Sequence, residues 1–169
     1  MDNAEKNTYV KNQITKALLD LLKDKELKDI SVSEITGAAC VSRNSFYRNY
    51  AEKEDILSEY IFQLFGEWTA EYDKRLSQSD DELMVGMFAH LGANRDFYML
   101  LCKRKLLYLL KNVLKEIIGP KPEYENLIAY TTAFIFSGIF GWIEEWLNRG
   151  MQESEEEMAL LLKNRDKLR

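Results

Sequence analysis

Residues 30–57 read ISVSEITGAACVSRNSFYRNYAEKEDIL, and they encode two short helices across a tight turn. Ser31 is a residue type that caps helix N-termini, and Glu34 follows three positions later, which is capping-box spacing. Ile35, Ala38 and Ala39 then recur at helical period, so a short helix with a small inner face is predicted. Val41 and Ser42 break the pattern. Ser42 is an N-cap for a second helix over residues 43–49. Phe46 and Tyr50, four apart, face the first helix, which leaves Ser42, Arg43, Asn44, Ser45, Tyr47 and Arg48 pointing outward.

That outward set suits a duplex groove. Two helices joined this way place the second in the major groove with its first residues near base edges. Arginine pairs with guanine, asparagine with adenine, and serine and tyrosine hydroxyls with phosphates. Ser31, Asn49 and Lys53 complete the expected DNA-binding set, Lys53 as a phosphate contact. The stretch resembles the recognition-helix signature of the TetR family through Val41, Ser42, Phe46, Tyr47, Lys53, Glu54 and Leu57. It departs at Cys40, where the family usually has Gly in the turn, at Asn49, where a His often contacts phosphate, and at Tyr50, which replaces Phe. The resemblance implies a three-helix helix-turn-helix head, joined by a long helix to a helical body. It also implies a dimer on a palindromic operator.

Composition agrees with an all-α chain. Leu, Lys and Glu abound, β-branched runs are few, and only two prolines occur in 169 residues. A net charge of −5 excludes a protein coated in basic surface. Residues 1–55 carry nine Lys/Arg against ten Asp/Glu, so DNA affinity must rest on where cations sit rather than on their number. Cys40 and Cys102 lack partners at ligand spacing, so neither a metal nor a disulfide is expected. The polar start MDNAEKNTYVK shows no signal peptide. The apolar run at residues 133–143 falls short of the ~20 residues of a membrane span. A cytoplasmic protein without cofactors is expected. One histidine, and no nucleophile elbow, P-loop or dinucleotide motif, argue against an enzyme.

Residues 1–8 are predicted loose, with a first helix at residues 9–25 carrying Ile14, Ala17, Leu18, Leu21 and Leu22 inward. A linking helix at residues 52–76 puts the boundary between two domains inside a helix: a DNA-binding domain at 1–55, and an effector-binding and dimerisation domain at 56–169. Ser79 and Glu82 form a capping box for the next helix. Helices at residues 95–103, 104–118 and 121–149 follow, with Gly150 as a C-cap. Ser154 and Glu157 then open a last helix that ends with Lys163, Arg165, Lys167 and Arg169.

Two groups in the body point to function. Trp68, Tyr72, Met84, Met87, Phe88, His90, Leu91, Phe97 and Tyr98 are soft and aromatic, which suits a mostly apolar cavity of roughly 300–1,000 Å³. Tyr72, His90 and Tyr98 are its polar anchors. Residues 133–146 are apolar on nearly every face, more than one protomer can cover. Ile135, Gly138, Ile139, Trp142 and Trp146, with Met158, Leu161 and Leu162 of the last helix, are the expected interface of a symmetric four-helix dimer. TetR relatives commonly dimerise through their last two helices. Residues 134–159 also resemble a TetR branch that includes regulators of dihydroxyacetone kinase operons. The resulting expectation is an operator-binding repressor switched by a small effector. The alternative is a helical co-regulator that acts through a partner protein with little operator binding of its own.

Overall fold

A computed structural model describes residues 2–73 and 80–164, without the side chains of residues 3, 70–73 and 80–83. Among the described residues the secondary structure is helical. The chain divides into two compact units, Met1–Gln63 and Leu64–Arg169, so the division falls inside a helix, some residues beyond the expected position 55.

The first unit holds α1 (Asn3–Leu22), a 3-10 turn (Leu27–Asp29), α2 (Val32–Ala38), α3 (Arg43–Tyr47) and the first part of α4 (Lys53–Asp73). Residues 3–8, expected to be loose, are helical. Asp2 caps α1 and exchanges hydrogen bonds with Glu5, a capping box that starts the helix six residues before Tyr9. The core is Ile14, Leu18 and Leu22 of α1, Ile35 of α2, Phe46 of α3, and Ile56, Leu57 and Ile61 of α4, all fully buried. The expected Ser31–Glu34 capping box is present.

The turn between α2 and α3 explains the first departure from the family pattern. Cys40 N–H donates to Gly37 O and Val41 N–H to Thr36 O, the paired bonds of a Schellman turn. Cys40 therefore adopts φ 53°, a conformation that costs a non-glycine residue about 1–2 kcal/mol. The turn keeps its geometry with cysteine in the glycine position.

The second unit continues with α5 (Asp80–Ala93), α6 (Arg95–Lys103), α7 (Leu107–Ile118), α8 (Asn126–Asn148) and α9 (Glu155–Lys163). Pro120 and Pro122 delay α8 to Asn126, later than the expected residue 121. Phe88, Leu91, Tyr98, Leu101, Leu110, Phe140, Ile143, Trp146 and Leu147 form the core. Gly150 (φ 83°) ends α8, and Arg95 holds the reversal by donating to Gly150 O at 2.6 Å and Met151 O at 2.7 Å. The Ser154–Glu157 capping box starts α9 as expected. The Ser79–Glu82 box, residues 74–76 of the linking helix, and Arg165, Lys167 and Arg169 lie outside the described residues.

Candidate nucleic-acid interface

Ser42 Oγ accepts the Ser45 N–H at 3.0 Å and lies 2.9 Å from Ser45 Oγ, which starts α3. Phe46 and Tyr50 are buried, their rings 6.0 Å apart, and they fix which side of α3 faces in. The opposite side exposes Arg43, Asn44, Tyr47 and Arg48, with Tyr47 61% accessible. The Arg43 guanidinium donates to Ser33 Oγ on the exposed side of α2, a residue absent from the sequence-based set. One arginine is thus oriented by the neighbouring helix.

Three further expected contacts also have intrachain partners. Ser31 Oγ belongs to the capping box and donates to Glu34 at 2.8 Å. The Lys25 ammonium and the Ser31 donors hold the Glu34 carboxyl down to about 2. Asn49 Nδ2 donates to Ser45 O at 2.8 Å, closing the end of α3. Lys53 is half-buried, and its Nζ donates to Leu27 O and Ile30 O at 2.6 Å each. Further cations of this unit are balanced locally, Lys25 by Glu34, Lys11 by Glu59 and Lys23 by Asp20. The near-neutral charge of the head thus hides a local contrast, with Arg43 and Arg48 on the outward face.

In the second unit the predicted ligand residues split. Met87, Phe88, Leu91, Phe97 and Tyr98 are buried, whereas Trp68, Met84 and His90 are half-buried. The side chain of Tyr72 lies outside the described residues. His90 Nε2 and Tyr98 Oη share a hydrogen bond at 3.1 Å, and the Phe65 ring packs 4.6 Å from the imidazole. These groups pack against one another. A cleft of about 350 Å³ opens in the first unit, beside Gln13, Lys16, Asp20 and Lys25.

Burial lowers the His90 imidazole from 6.5 to about 4, and Glu67 only partly opposes the shift. The folded chain therefore resists a proton that the unfolded chain accepts. Stability contributed by neutral His90 is present above pH 6.5 and is lost as pH falls towards 4, by about 2 kcal/mol after allowance for partial exposure. Denaturant titrations at pH 7 and pH 4.5 check this. His90→Gln should lose less stability between the two than the parent, and equal losses would rule the effect out.

Among the described residues, α8 and α9 expose several large apolar side chains. Phe134, Leu127 and Tyr130 are 81%, 79% and 74% exposed on α8, Ile135 is exposed next to Phe134, and Leu160 and Leu161 are exposed on α9. A Cβ built on Gly138 or Gly141 meets nothing within 4 Å. Ile139 and Trp142 are half-buried. Trp146, Met158 and Leu162 are turned into the protomer's own core instead: the Trp146 ring meets Phe88 edge-on at 5.5 Å, and its Nε1 donates to Glu153 O. By length and composition α8 could also cross a membrane, with a mean hydropathy of 1.4, although the continuous apolar run at residues 133–143 is short.

Residues 78–165 match the TetR_C_8 family model, the transcriptional regulator C-terminal region. The chain belongs to the TetR family. Its relatives in this family are transcriptional regulators rather than enzymes. Two solved structures share the fold over 92% of this chain and 92% of their own. One is a TetR transcriptional regulator from Streptococcus agalactiae 2603V, at 21% identity and a TM-score of 0.63. The other is the dihydroxyacetone kinase operon activator DhaS, at 22% identity and a TM-score of 0.54. Comparison with curated proteins finds no match. The family match covers the body of this TetR protein, while the recognition-helix signature lies in the head, so the two lines of evidence come from different parts of the chain.

Proposed function

We propose that this TetR protein binds a palindromic operator as a dimer and is switched by a small, mostly apolar effector. The outward face of α3 carries the reading: Arg43, Asn44, Tyr47 and Arg48 stand exposed on a helix whose other side is pinned by Phe46 and Tyr50. Those side chains supply the donors that read guanine and adenine edges. One head reads a half-site, so two are needed.

The pairing surface is the open stripe of α8 with α9. Ile135, Gly138, Ile139, Trp142 and Leu161 lie on it, with Leu127 and Phe134 added, and the two glycines permit close helix approach. The opposite side of α8, with Phe136, Phe140 and Ile143, is already committed to the protomer. A helix with one free face suits a second copy better than surrounding lipid, and a cytoplasmic location accords with this. The effector enters by parting the Trp68, His90 and Tyr98 cluster, which a thermal-shift screen of apolar compounds tests. Seated on the operator, the dimer acts as a repressor by occlusion. Asn49 and Lys53, with their intrachain partners, favour the rival reading of a co-regulator with a weakened head.

The deciding experiment is selection of sequences from a random duplex library. The protein should enrich a palindrome, and Arg43→Ala should weaken binding to it by about 1–3 kcal/mol. Enrichment of no palindrome would favour the co-regulator.

A further inference from the structure

We infer that Lys53 is a positioning residue for the recognition surface and not a phosphate contact. This rests on the operator-binding reading above. Lys53 is the first residue of α4, and Asp55 fixes the segment that carries it by accepting the Ala51 and Glu52 N–H groups at 3.0 and 2.8 Å. From there its ammonium reaches back to Leu27 O and Ile30 O. Two of its three donors are therefore engaged inside the chain. The two carbonyls belong to the 3-10 turn and the residue after it, directly before Ser31. Ser31 caps α2, and α2 carries Ser33, which receives the Arg43 guanidinium of α3. One cation thus ties the start of α4 to the base of α2, and through Ser33 to an arginine on the outward face. Sequence spacing does not reveal this, because the partners lie 26 and 23 residues away.

A positioning role and a phosphate role differ in their response to salt. Each phosphate contact releases counterions, so its loss lowers the slope of log K against log salt by about 0.9. A positioning residue changes affinity without changing that slope. The test compares the parent with Lys53→Met and Lys53→Gln, the latter keeping an amide donor without the charge. The probes are the duplex that the parent enriches and a scrambled duplex of the same composition, and thermal unfolding shows which variants are folded.

Lys53→Met should bind the enriched duplex about tenfold more weakly, with the parent's salt slope and unchanged binding to the scrambled duplex. Lys53→Gln should lie between the two. In the free protein, the Ile30, Glu34 and Ile35 amides should exchange with solvent faster in Lys53→Met. If Lys53→Met does not fold, Lys53→Gln carries the same comparison. A slope lowered by about 0.9, with both duplexes weakened alike, would overturn the inference and restore the phosphate contact. Unchanged affinity with unchanged exchange would overturn it as well. If the parent enriches no duplex, the operator reading fails, and amide exchange alone decides whether Lys53 anchors the turn.

Discussion

Phe134→Asp is expected to convert a dimer into a monomer at micromolar concentration. Phe134 is 81% exposed on α8, one turn from Gly138 and beside Ile135 and Leu127. In a symmetric pairing each residue of this face is used twice. Burying a phenylalanine contributes about 1.5–3 kcal/mol, and each copy of the variant also places a carboxylate where apolar surface should meet. The loss over two copies exceeds about 4 kcal/mol, which weakens association roughly a thousandfold. Sedimentation of the parent, Phe134→Asp and Val85→Asp checks this. Val85 is an exposed apolar residue on a different helix, α5, and its variant should stay dimeric. A parent that sediments as a monomer would end the pairing proposal, and a dimeric Phe134→Asp would place the interface elsewhere. Operator affinity should fall with the dimer, because one head reads only a half-site.

The head was legible because its signals are local. A capping box at Ser31 and Glu34, an N-cap at Ser42 and an inward pair at Phe46 and Tyr50 each span five residues or fewer, and each appears in the structure. The start of α1 used the same signal at Asp2 and Glu5. It went unread because residues 3–8 carry no apolar period to follow it. The partners of Lys53 and Asn49 were hidden for a different reason. A spacing rule says which face a side chain lies on, not which carbonyl it finds there, and an ammonium on a flexible stem reaches backbone distant in sequence. The site in the head was therefore readable as a face, while the division of labour within it was not.

The body shows where periodicity runs out. Helix orientation is read from contrast between apolar and polar sides, and residues 133–143 offer almost none. Trp142 and Trp146 are four apart, so spacing alone assigns them to one face. The fold separates them because Trp146 meets Phe88 of α5 and donates to Glu153 O after the Gly150 turn, where α9 goes on to pack along α5. Trp142, one turn earlier, stays half-buried. Met158 and Leu162 turn inward on α9 for the same reason, and Leu160 and Leu161 are left outside.

Trp146→Ala is accordingly expected to damage the protomer rather than the pairing. The side chain is 2% exposed, its ring meets Phe88 at 5.5 Å in an edge-on arrangement, and its indole N–H donates to Glu153 O at 3.2 Å. Removing a buried tryptophan leaves a cavity that neighbours only partly fill, at a cost of about 3–5 kcal/mol. It also strands the Glu153 carbonyl. Against a total stability of about 5–15 kcal/mol, the body of such a variant is close to unfolding. Trp146→Phe keeps a ring against Phe88 but no donor, and should cost less. Trp142→Ala makes the contrast, since its side chain borders the open stripe and its loss should act through association. Urea titrations followed by far-ultraviolet circular dichroism at two protein concentrations separate the two. The Trp146→Ala midpoint should fall at both concentrations by a similar amount, because the lost contacts lie within one chain. The Trp142→Ala deficit should shrink as concentration rises and mass action restores the pair. A Trp146→Ala protein with parental stability and weakened association would show that this tryptophan faces the partner and that α5 does not cover it.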